Sequence, residues 1–430
     1  MHIHHHAKAL TKDKFILKSS FFVVSTALLG NFFAYLFQVI LGRYFSVEDY
    51  GILNSLLAFL AMSHLFVHIF FGQSPKLVAE IKDEDYPNKI SSLFFTLSKI
   101  FAVTSVLAFL IINLFSNQIA SYLQLTDTNS RSIIFYFSLA VAGFLFFIYI
   151  MHFLQGLMRF KAYSLIQFLT TSVKFVIALI IVYLALAVKD VFLLSGISAL
   201  LISILGILLL KKNLNFEKIR DFDTKNIMIL IKYSLGGALA FVGITIMLNI
   251  DIIQVKHYFS PETAGIYSLT SVIGKIIFYA ASPVAVVMLP VVASKYKKKE
   301  NFKQPFVATL FLTLLISMGI ALVFIFFPEF ITKLLFGSNE KKLLSANYLP
   351  IFSIYMILYT LLAFLSQFFI AISKFKIASI AFLAAVIQFV LILVFHNSLY
   401  AIIWDSIVAS GTVVLIMILS LISLNKSKSK

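Results

Sequence analysis

The feature that most constrains this chain is a succession of apolar runs, each long enough to cross a lipid bilayer. A membrane-spanning helix needs about 20 such residues. Of the 430 residues, 61% are hydrophobic and only 12% are charged, whereas soluble domains carry about a quarter charged residues. Strict two-residue alternation is absent, which disfavours a transmembrane β-barrel. The sequence therefore predicts an all-α polytopic membrane protein of about 12 transmembrane helices, at residues 19–42, 51–72, 91–116, 132–156, 162–186, 191–210, 233–256, 264–292, 305–331, 347–372, 377–395 and 399–424.

A short motif occurs twice, 214 positions apart, and we refer to it as the repeated motif. Its first copy covers residues 42–52 and its second covers 256–266, with Tyr, Phe, Ser, Glu, Gly and Ile in common. Each copy connects two predicted spans. Other segments align at nearly the same shift, such as those at 159–161 and 374–376. Because each half holds an even number of spans, we expect parallel repeats related by an axis along the membrane normal.

The repeat predicts five segments along the chain. They are a cytoplasmic N-terminal tail at 1–18, a six-helix lobe at 19–210, a cytoplasmic linker at 211–232, a second six-helix lobe at 233–424, and a cytoplasmic tail at 425–430. The histidines in residues 1–7 are either native or the remnant of a purification tag, and they are set aside. No cleavable signal peptide is evident.

The distribution of cations predicts the orientation. Of 35 Lys and Arg residues, 25 fall in the connections on one side, seven on the other and three inside spans. Positive charge marks the cytoplasmic face, so we expect a multi-pass protein of the cytoplasmic (inner) membrane with both termini inside. The net charge of +17 is then accounted for without nucleic acid. The absence of cysteine excludes disulfides.

Two polar stripes on predicted helices are the main candidates for a functional site. One lies on span 2 and the other on span 8, at equivalent positions of the repeat. Close packing of small residues would explain the alanines and serines, but not the histidines or the lysine, so we favour a cavity lining. The stripes comprise Asn54, Ala58, Ala61, His64 and His68, and Ser268, Ser271, Lys275, Tyr279 and Ser282.

Charged residues inside the spans are costly and therefore informative. Lys275 lies ten residues past Gly265, about 15 Å along a helix, and Lys174 is similarly deep. Lys99 is close enough to an end to snorkel. Gln38 lies on the polar face of span 1, which leads to Arg43. Arg43 is either an interfacial anchor or part of a ring that attracts anions.

Asp251 is the deepest acid. Three roles are open to it: a structural ion pair with Lys275, which we favour slightly, a pair with a functional role, or titration that couples transport to H⁺ or Na⁺. No enzyme signature is present, so catalysis is not expected. His64 and His68 have a metal-binding spacing but lack an acidic third ligand, so neither a metal nor another cofactor is predicted.

Three segments carry a family resemblance. They are LGRYFSVEDYGILNSL at 41–56, LQGLMRFK at 154–161 and NIDIIQVKHYFSPETAGIYSL at 249–269. In order and spacing, they resemble the polysaccharide-biosynthesis flippases (Wzx-like) of the MOP exporter superfamily. One departure is that the second copy of the repeated motif has Lys256 and His257 where the first has Gly42 and Arg43.

The resemblance implies two lobes in a V around a cationic cavity. The cavity would receive the diphosphate and sugars of a polyprenyl-linked oligosaccharide, which alternating access would carry across the membrane. Lys275, Lys174 and Arg43 would face the phosphates. The implied partners are membrane lipid, the lipid-linked glycan and other polysaccharide-assembly proteins, with the flippase acting as a monomer.

Other functions are compatible with a chain of this kind. A MATE-type multidrug or small-molecule exporter shares the fold, but its substrates are usually cations, which favour acidic residues in the cavity. Here the spans hold two deep lysines and one deep aspartate, a balance that favours an anionic substrate. A membrane glycosyl polymerase or ligase would need a large outer loop with paired arginines. A structural scaffold would have no need of buried lysines.

Overall fold

Helices make up the regular structure in the part of the chain that the computed structural model describes. That part comprises residues 29–71, 86–125, 130–211 and 238–427, with the single positions Thr26, Val78 and Leu214. Eleven helices within it are long and apolar enough to cross a membrane. The predicted all-α polytopic fold is thereby confirmed. Of the first predicted span, only the C-terminal part is described; the N-terminal tail and nearly all of the linker lie outside the described residues.

Most predicted spans are found close to their expected positions; the span predicted at 162–186, for example, is the helix Phe160–Tyr183. In chain order the helices are α1 (29–44), α2 (Val47–Phe71), α3 (Tyr86–Leu114), α4 (Ser116–Tyr122), α5 (Ser130–Gly156), α6 (Phe160–Tyr183), α7 (Val188–Leu210), α8 (238–247), α9 (Ile250–Tyr258), α10 (Pro261–Lys297), α11 (Lys303–Phe326), α12 (Pro328–Phe336), α13 (Glu340–Leu343), α14 (Leu349–Ala371), α15 (Phe375–Ala378), α16 (Ile380–Val394) and α17 (Leu399–Ser427), with a 3₁₀ turn at Leu344–Tyr348 before α14.

The span predicted as one helix at 233–256 is interrupted between α8 and α9. The Asn249 side chain donates to the carbonyl of Thr245 at 2.8 Å. The hydroxyl of Tyr355 donates to the carbonyl of Met247 at 2.8 Å, and that of Tyr359 to the carbonyl of Ile244 at 3.0 Å. Backbone groups freed by a break inside a membrane protein need such partners, because lipid offers none. The interruption is therefore a built feature, stabilised by the Asn249 side chain and by two tyrosine hydroxyls of α14.

The chain forms two compact units that do not follow its order. The first contains Met1–Gln38, Gly72–Ser116 and Ser132–Leu230. Its centre is aromatic: the Tyr149 hydroxyl donates to the carbonyl of Phe94 at 2.6 Å and accepts from Ser98 at 3.1 Å. The ring of Phe101 stacks on Tyr149 with 4.9 Å between centroids. These contacts join α3 to α5.

The second unit contains Val39–Phe71, Asn117–Arg131 and Ile231–Lys430. Its core lies where α10 packs on α14, with Tyr267 and Phe352 edge to face at 5.9 Å between ring centroids. Helix α2 also belongs to this unit, although it precedes the core by some two hundred residues of sequence. The first copy of the repeated motif therefore packs with the helices that follow the second copy.

Candidate functional site

Both copies of the repeated motif begin a helix in the same way. The hydroxyl of Ser46 accepts from the backbone N–H of Asp49 at 3.0 Å, at the start of α2. The hydroxyl of Ser260 accepts from the backbone N–H of Thr263 at 3.3 Å, at the start of α10. A serine in this place satisfies one of the free N–H groups of the first turn. The serine shared by the two copies is thus the N-cap of each helix.

The shared glycines bring the two helices into contact. A methyl group added at Gly51 would lie 2.9 Å from the backbone nitrogen of Gly265. One added at Gly265 would overlap the backbone carbonyl of Val47. Only glycine allows backbones to approach this closely. The N-terminal ends of α2 and α10 therefore cross at these two residues.

The polar stripes become more exposed with distance from this crossing. On α10, Ser268 is 1% exposed, Lys275 is 8% exposed and Tyr279 is 47% exposed. On α2, Asn54 is buried, whereas His64 is half-buried. The ends of the stripes near the crossing are therefore closely packed, and the far ends are more exposed. That the stripes line a cavity stays a prediction.

The polar side chains near the crossing mostly bond within their own helices. Asn54 donates to the carbonyl of Tyr50 at 3.0 Å, and Ser268 donates to the carbonyl of Ala264 at 2.9 Å. The hydroxyl of Ser271 is buried and makes no hydrogen bond within the described residues. Such an unpaired hydroxyl is a candidate donor to a bound molecule.

Asp251 and Lys275 lie in the same unit but are not in ion-pair contact. The ion pairs among the described residues are made by Lys341. The Oδ2 atom of Asp251 instead accepts from the Tyr267 hydroxyl at 2.7 Å, and no side chain in the described region donates to Oδ1. Lys275 is close enough to act electrostatically on the carboxylate. The pair predicted from the sequence is therefore a through-space interaction rather than a direct salt bridge.

His68 lies at the far end of the α2 stripe. Its ring is 4.1 Å from that of Phe241 on α8, measured between centroids. No group of three or more metal-ligating side chains occurs in the described residues. His68 thus contacts an aromatic side chain of α8, and the prediction that the two histidines form a polar cavity wall stays a prediction.

The remaining predicted site residues lie apart from these stripes. Lys174 and Gln38 belong to the first unit. The Lys174 ammonium lies over the ring of Phe144, 5.4 Å from its centroid, an arrangement that partly compensates for the incomplete hydration of a half-buried cation. Gln38 is half-buried.

Arg43 contacts the backbone at the end of α12. Its Nε donates to the carbonyl of Leu335 at 2.7 Å, and Nη2 donates to that of Leu334. The last carbonyls of a helix have no partner within it, so the guanidinium caps α12. The two roles predicted for Arg43, an interfacial anchor or part of a ring that attracts anions, both stay predictions.

Two functional candidates were missed by the sequence analysis. The Lys341 ammonium lies 3.5 Å from Glu48 and 3.2 Å from Glu262, the glutamates that occupy the same place in the two copies of the repeated motif. Lys342 donates to the carbonyls of Gly42 and Arg43 at 2.8 and 2.9 Å. The sequence offered one signal: a glutamate kept in both copies suggests a shared cationic partner.

Comparison with known proteins extends these observations. The chain is similar to an uncharacterized membrane protein of Methanocaldococcus jannaschii, 27% identical over 366 residues that cover 81% of this chain and 84% of the relative. Its fold is similar to that of the lipid II flippase MurJ in an inward closed conformation, with a TM-score of 0.68, 15% identity, and coverage of 93% of this chain and 87% of that one. It is also similar to an inward-facing multidrug resistance MATE family transporter of the MOP superfamily, with a TM-score of 0.71, 15% identity, and coverage of 91% and 96%.

The structural neighbours give the fold, which is that of MOP-superfamily transporters and accords with the predicted family. The family itself follows from the sequence. The model of a family described as polysaccharide biosynthesis protein matches residues 40–345, well over half of the 430 residues. The chain therefore belongs to the polysaccharide biosynthesis protein family.

Proposed function

We propose that this protein is a flippase that moves a polyprenyl-diphosphate-linked oligosaccharide across the cytoplasmic membrane by alternating access. The observation that carries the proposal is the pair of polar stripes on α2 and α10, which meet at Gly51 and Gly265 and become exposed away from that crossing. We infer from this exposure that the two helices part away from the crossing and leave a wedge-shaped space between them. A polar lining suits a hydrated headgroup, whose lipid tail stays in the bilayer.

Lys275 supports a negatively charged substrate. It lies at the point where the α10 stripe changes from buried to exposed, and it makes no direct ion pair within the described residues. An ammonium in low dielectric binds phosphate strongly. We therefore assign Lys275 to the diphosphate, with Lys174 as a second candidate in the other unit.

Asp251 acts as the countercharge in this proposal. Held by Tyr267, it partly neutralises Lys275 through space without occupying the ammonium. Its Oδ1 atom is also where a coupling H⁺ or Na⁺ would bind. A flipping rate that depends on an ion gradient in the wild type, and no longer does so in Asp251→Asn, would assign the coupling role.

The orientation rests on the lysines. Those at the C-terminal end of α10, such as Lys295 and Lys297, are part of the lysine-rich side and are assigned to the cytoplasm. The two copies of the repeated motif then face the outside, and both termini are cytoplasmic.

The experiment uses purified protein in liposomes that contain radiolabelled N-acetylglucosaminyl-diphosphate-polyprenol. The measurement is the rate at which headgroups become accessible to a membrane-impermeant hydrolase outside. Lys275→Ala is expected to slow this rate about tenfold, equivalent to about 1.4 kcal/mol, while Lys275→Arg retains it. The matched control is Lys99→Ala, which removes an exposed lysine from α3.

Two results would contradict the proposal. Wild-type rates in both Lys275→Ala and Lys174→Ala would rule out the cationic site. Export of a cationic rhodamine dye, with no movement of the lipid, would identify the protein as an exporter of the MATE type instead.

A further inference from the structure

One lysine joins the two copies of the repeated motif. Lys341, from α13, lies between Glu48 of the first copy and Glu262 of the second, at 3.5 and 3.2 Å. The glutamates follow the capping serines by two residues, so they lie at equivalent places on α2 and α10. A single ammonium therefore bridges the ends of the two helices that cross at the glycines.

Each copy of the repeated motif also receives a segment from a different part of the chain. The first copy is held by residues 334–342: Arg43 donates to the end of α12, and Lys342 donates to the end of α1. The second copy is held by residues 122–124. Gln124 donates to the carbonyl of His257 at 2.6 Å, and the rings of Tyr122 and His257 stack at 4.0 Å.

These contacts form a reciprocal arrangement. The segment after α11, in the second half of the sequence, holds the motif of the first half, and the segment after α3 holds the motif of the second half. We name residues 42–48, 122–124, 256–262 and 334–342 the crossed latch. All of it belongs to the second compact unit.

The contacts that join one copy of the repeated motif to the other are polar and partly exposed. Lys341 pairs with Glu48 and Glu262, and all three side chains are between 38% and 55% exposed. Within the first copy, by contrast, the ring of Phe336 packs closely against Gly42. An opened latch would exchange these ion pairs for bonds to water, and the net cost of such an exchange is small.

Lys256 adds a reason for the latch to open. Lys256 is 1% exposed, and its buried ammonium makes no hydrogen bond within the described residues, although it acts electrostatically with Asp49 and Glu48. A buried charge without hydrogen bonds is unfavourable relative to a hydrated one. Separation of the motif ends would hydrate Lys256 and so recover part of the cost of breaking the other contacts.

We propose that the crossed latch is a detachable outer gate, which closes the motif ends of α2 and α10 in this conformation and separates when the cavity opens outward. The proposal rests on the proposed function, since alternating access requires a gate on each side. Lys341 is the central element, because it is the residue bonded to both copies at once.

The first test needs no substrate. The chain has no cysteine, so Ser268→Cys, just below the crossing, supplies the only thiol. The rate of its reaction with a membrane-impermeant maleimide, added outside intact cells, reports opening of the gate. Adding Lys341→Glu is expected to raise that rate about tenfold, because it replaces two attractions by two repulsions.

Two variants serve as controls for this test. Lys341→Arg keeps the bridge and should label like the parent. Lys333→Glu makes the same change of charge on α12, at an exposed lysine that forms no ion pair in the described part of the chain, and should also leave the rate unchanged. Equal labelling of Lys341→Glu and Lys333→Glu would overturn the proposal.

The second test locks the gate. A short bis-methanethiosulfonate reagent links Glu48→Cys on α2 to Glu262→Cys on α10, the two positions that reach the same lysine, and dithiothreitol releases the link. Flipping of the diphosphate lipid should stop in the linked protein and return on reduction. The control pair Asn347→Cys and Tyr400→Cys joins neighbours within the C-terminal part and should flip in both states. Undiminished flipping through a linked gate would show that the latch is a fixed anchor.

The two tests separate failure of the gate from failure of the proposed function. If Lys341→Glu raises labelling but no protein moves the diphosphate lipid, the gate stands and the substrate assignment fails. If the wild type flips the lipid and neither test changes anything, the flippase stands and the gate fails.

Discussion

Replacement of Gly265 by alanine tests the helix crossing on which the candidate site depends. The added methyl group would overlap the carbonyl of Val47, and a backbone carbonyl cannot rotate away as a flexible side chain can. Overpacking of this kind costs about 1–3 kcal/mol, and alanine recovers about 1 kcal/mol through its higher helix propensity. With the clash at the upper end of its range, Gly265→Ala should lose about 2 kcal/mol of stability.

Two other glycines calibrate that value. At Gly51 the nearest backbone atom would be 2.9 Å from the new methyl, so Gly51→Ala should be milder. At Gly319 nothing lies within 4 Å, so Gly319→Ala should stabilise the protein slightly through propensity alone.

The assay is thermal unfolding of the purified variants in detergent, followed by far-UV circular dichroism. The expected order of midpoints is Gly319→Ala highest, then wild type, Gly51→Ala and Gly265→Ala. If Gly265→Ala has the same unfolding midpoint as Gly319→Ala, the backbones of α2 and α10 are not in contact. The wedge-shaped space inferred from their crossing then loses its support.

Two further substitutions probe the charged and polar contacts around the site. Arg43→Ala leaves the last carbonyls of α12 uncapped and should cost about 1.5–3 kcal/mol, the value of hydrogen bonds from a charged group; unfolding in the same detergent measures it, and a loss no larger than that of Lys333→Ala would contradict the capping role. Tyr267→Phe removes the donor to Asp251 and should cost about 1–3 kcal/mol by leaving a buried carboxylate oxygen unpaired. Combining it with Asp251→Asn should cost less than the sum of the two single changes, and strict additivity would show that the two side chains do not interact.

Much of the fold could be predicted because membrane helices follow from local composition. A run such as 399–424 is apolar for its whole length, and lipid leaves helix as the way to satisfy its backbone. The break at Asn249 could not be predicted in the same way. The residues that stabilise it, Tyr355 and Tyr359, lie more than a hundred positions away, and no local pattern relates them.

The candidate site likewise contains residues that the sequence could reveal and residues whose role it could not. Lys275 and the stripes were recognisable because a polar residue in an apolar run needs a reason. The role of Arg43 was not, because its partners lie 291 and 292 positions further along the chain. For Lys341, the sequence held half of the information: Glu48 and Glu262 recur in the repeated motif, but one chain alone does not show which of the cations meets them.

The crossed latch also has a consequence for how the protein is made. Glu48 is synthesised 293 residues before Lys341, its partner. At about 5–20 residues per second, the ribosome needs roughly 15–60 s to cover that distance. During this interval α1 and α2 are already synthesised, and residues 42–48 between and within them carry carbonyls and a carboxylate whose partners are still to be translated. If translation stalls between α2 and α12, the start of α2 therefore lacks the contacts that residues 334–342 supply. We expect membrane quality control to recognise such a chain.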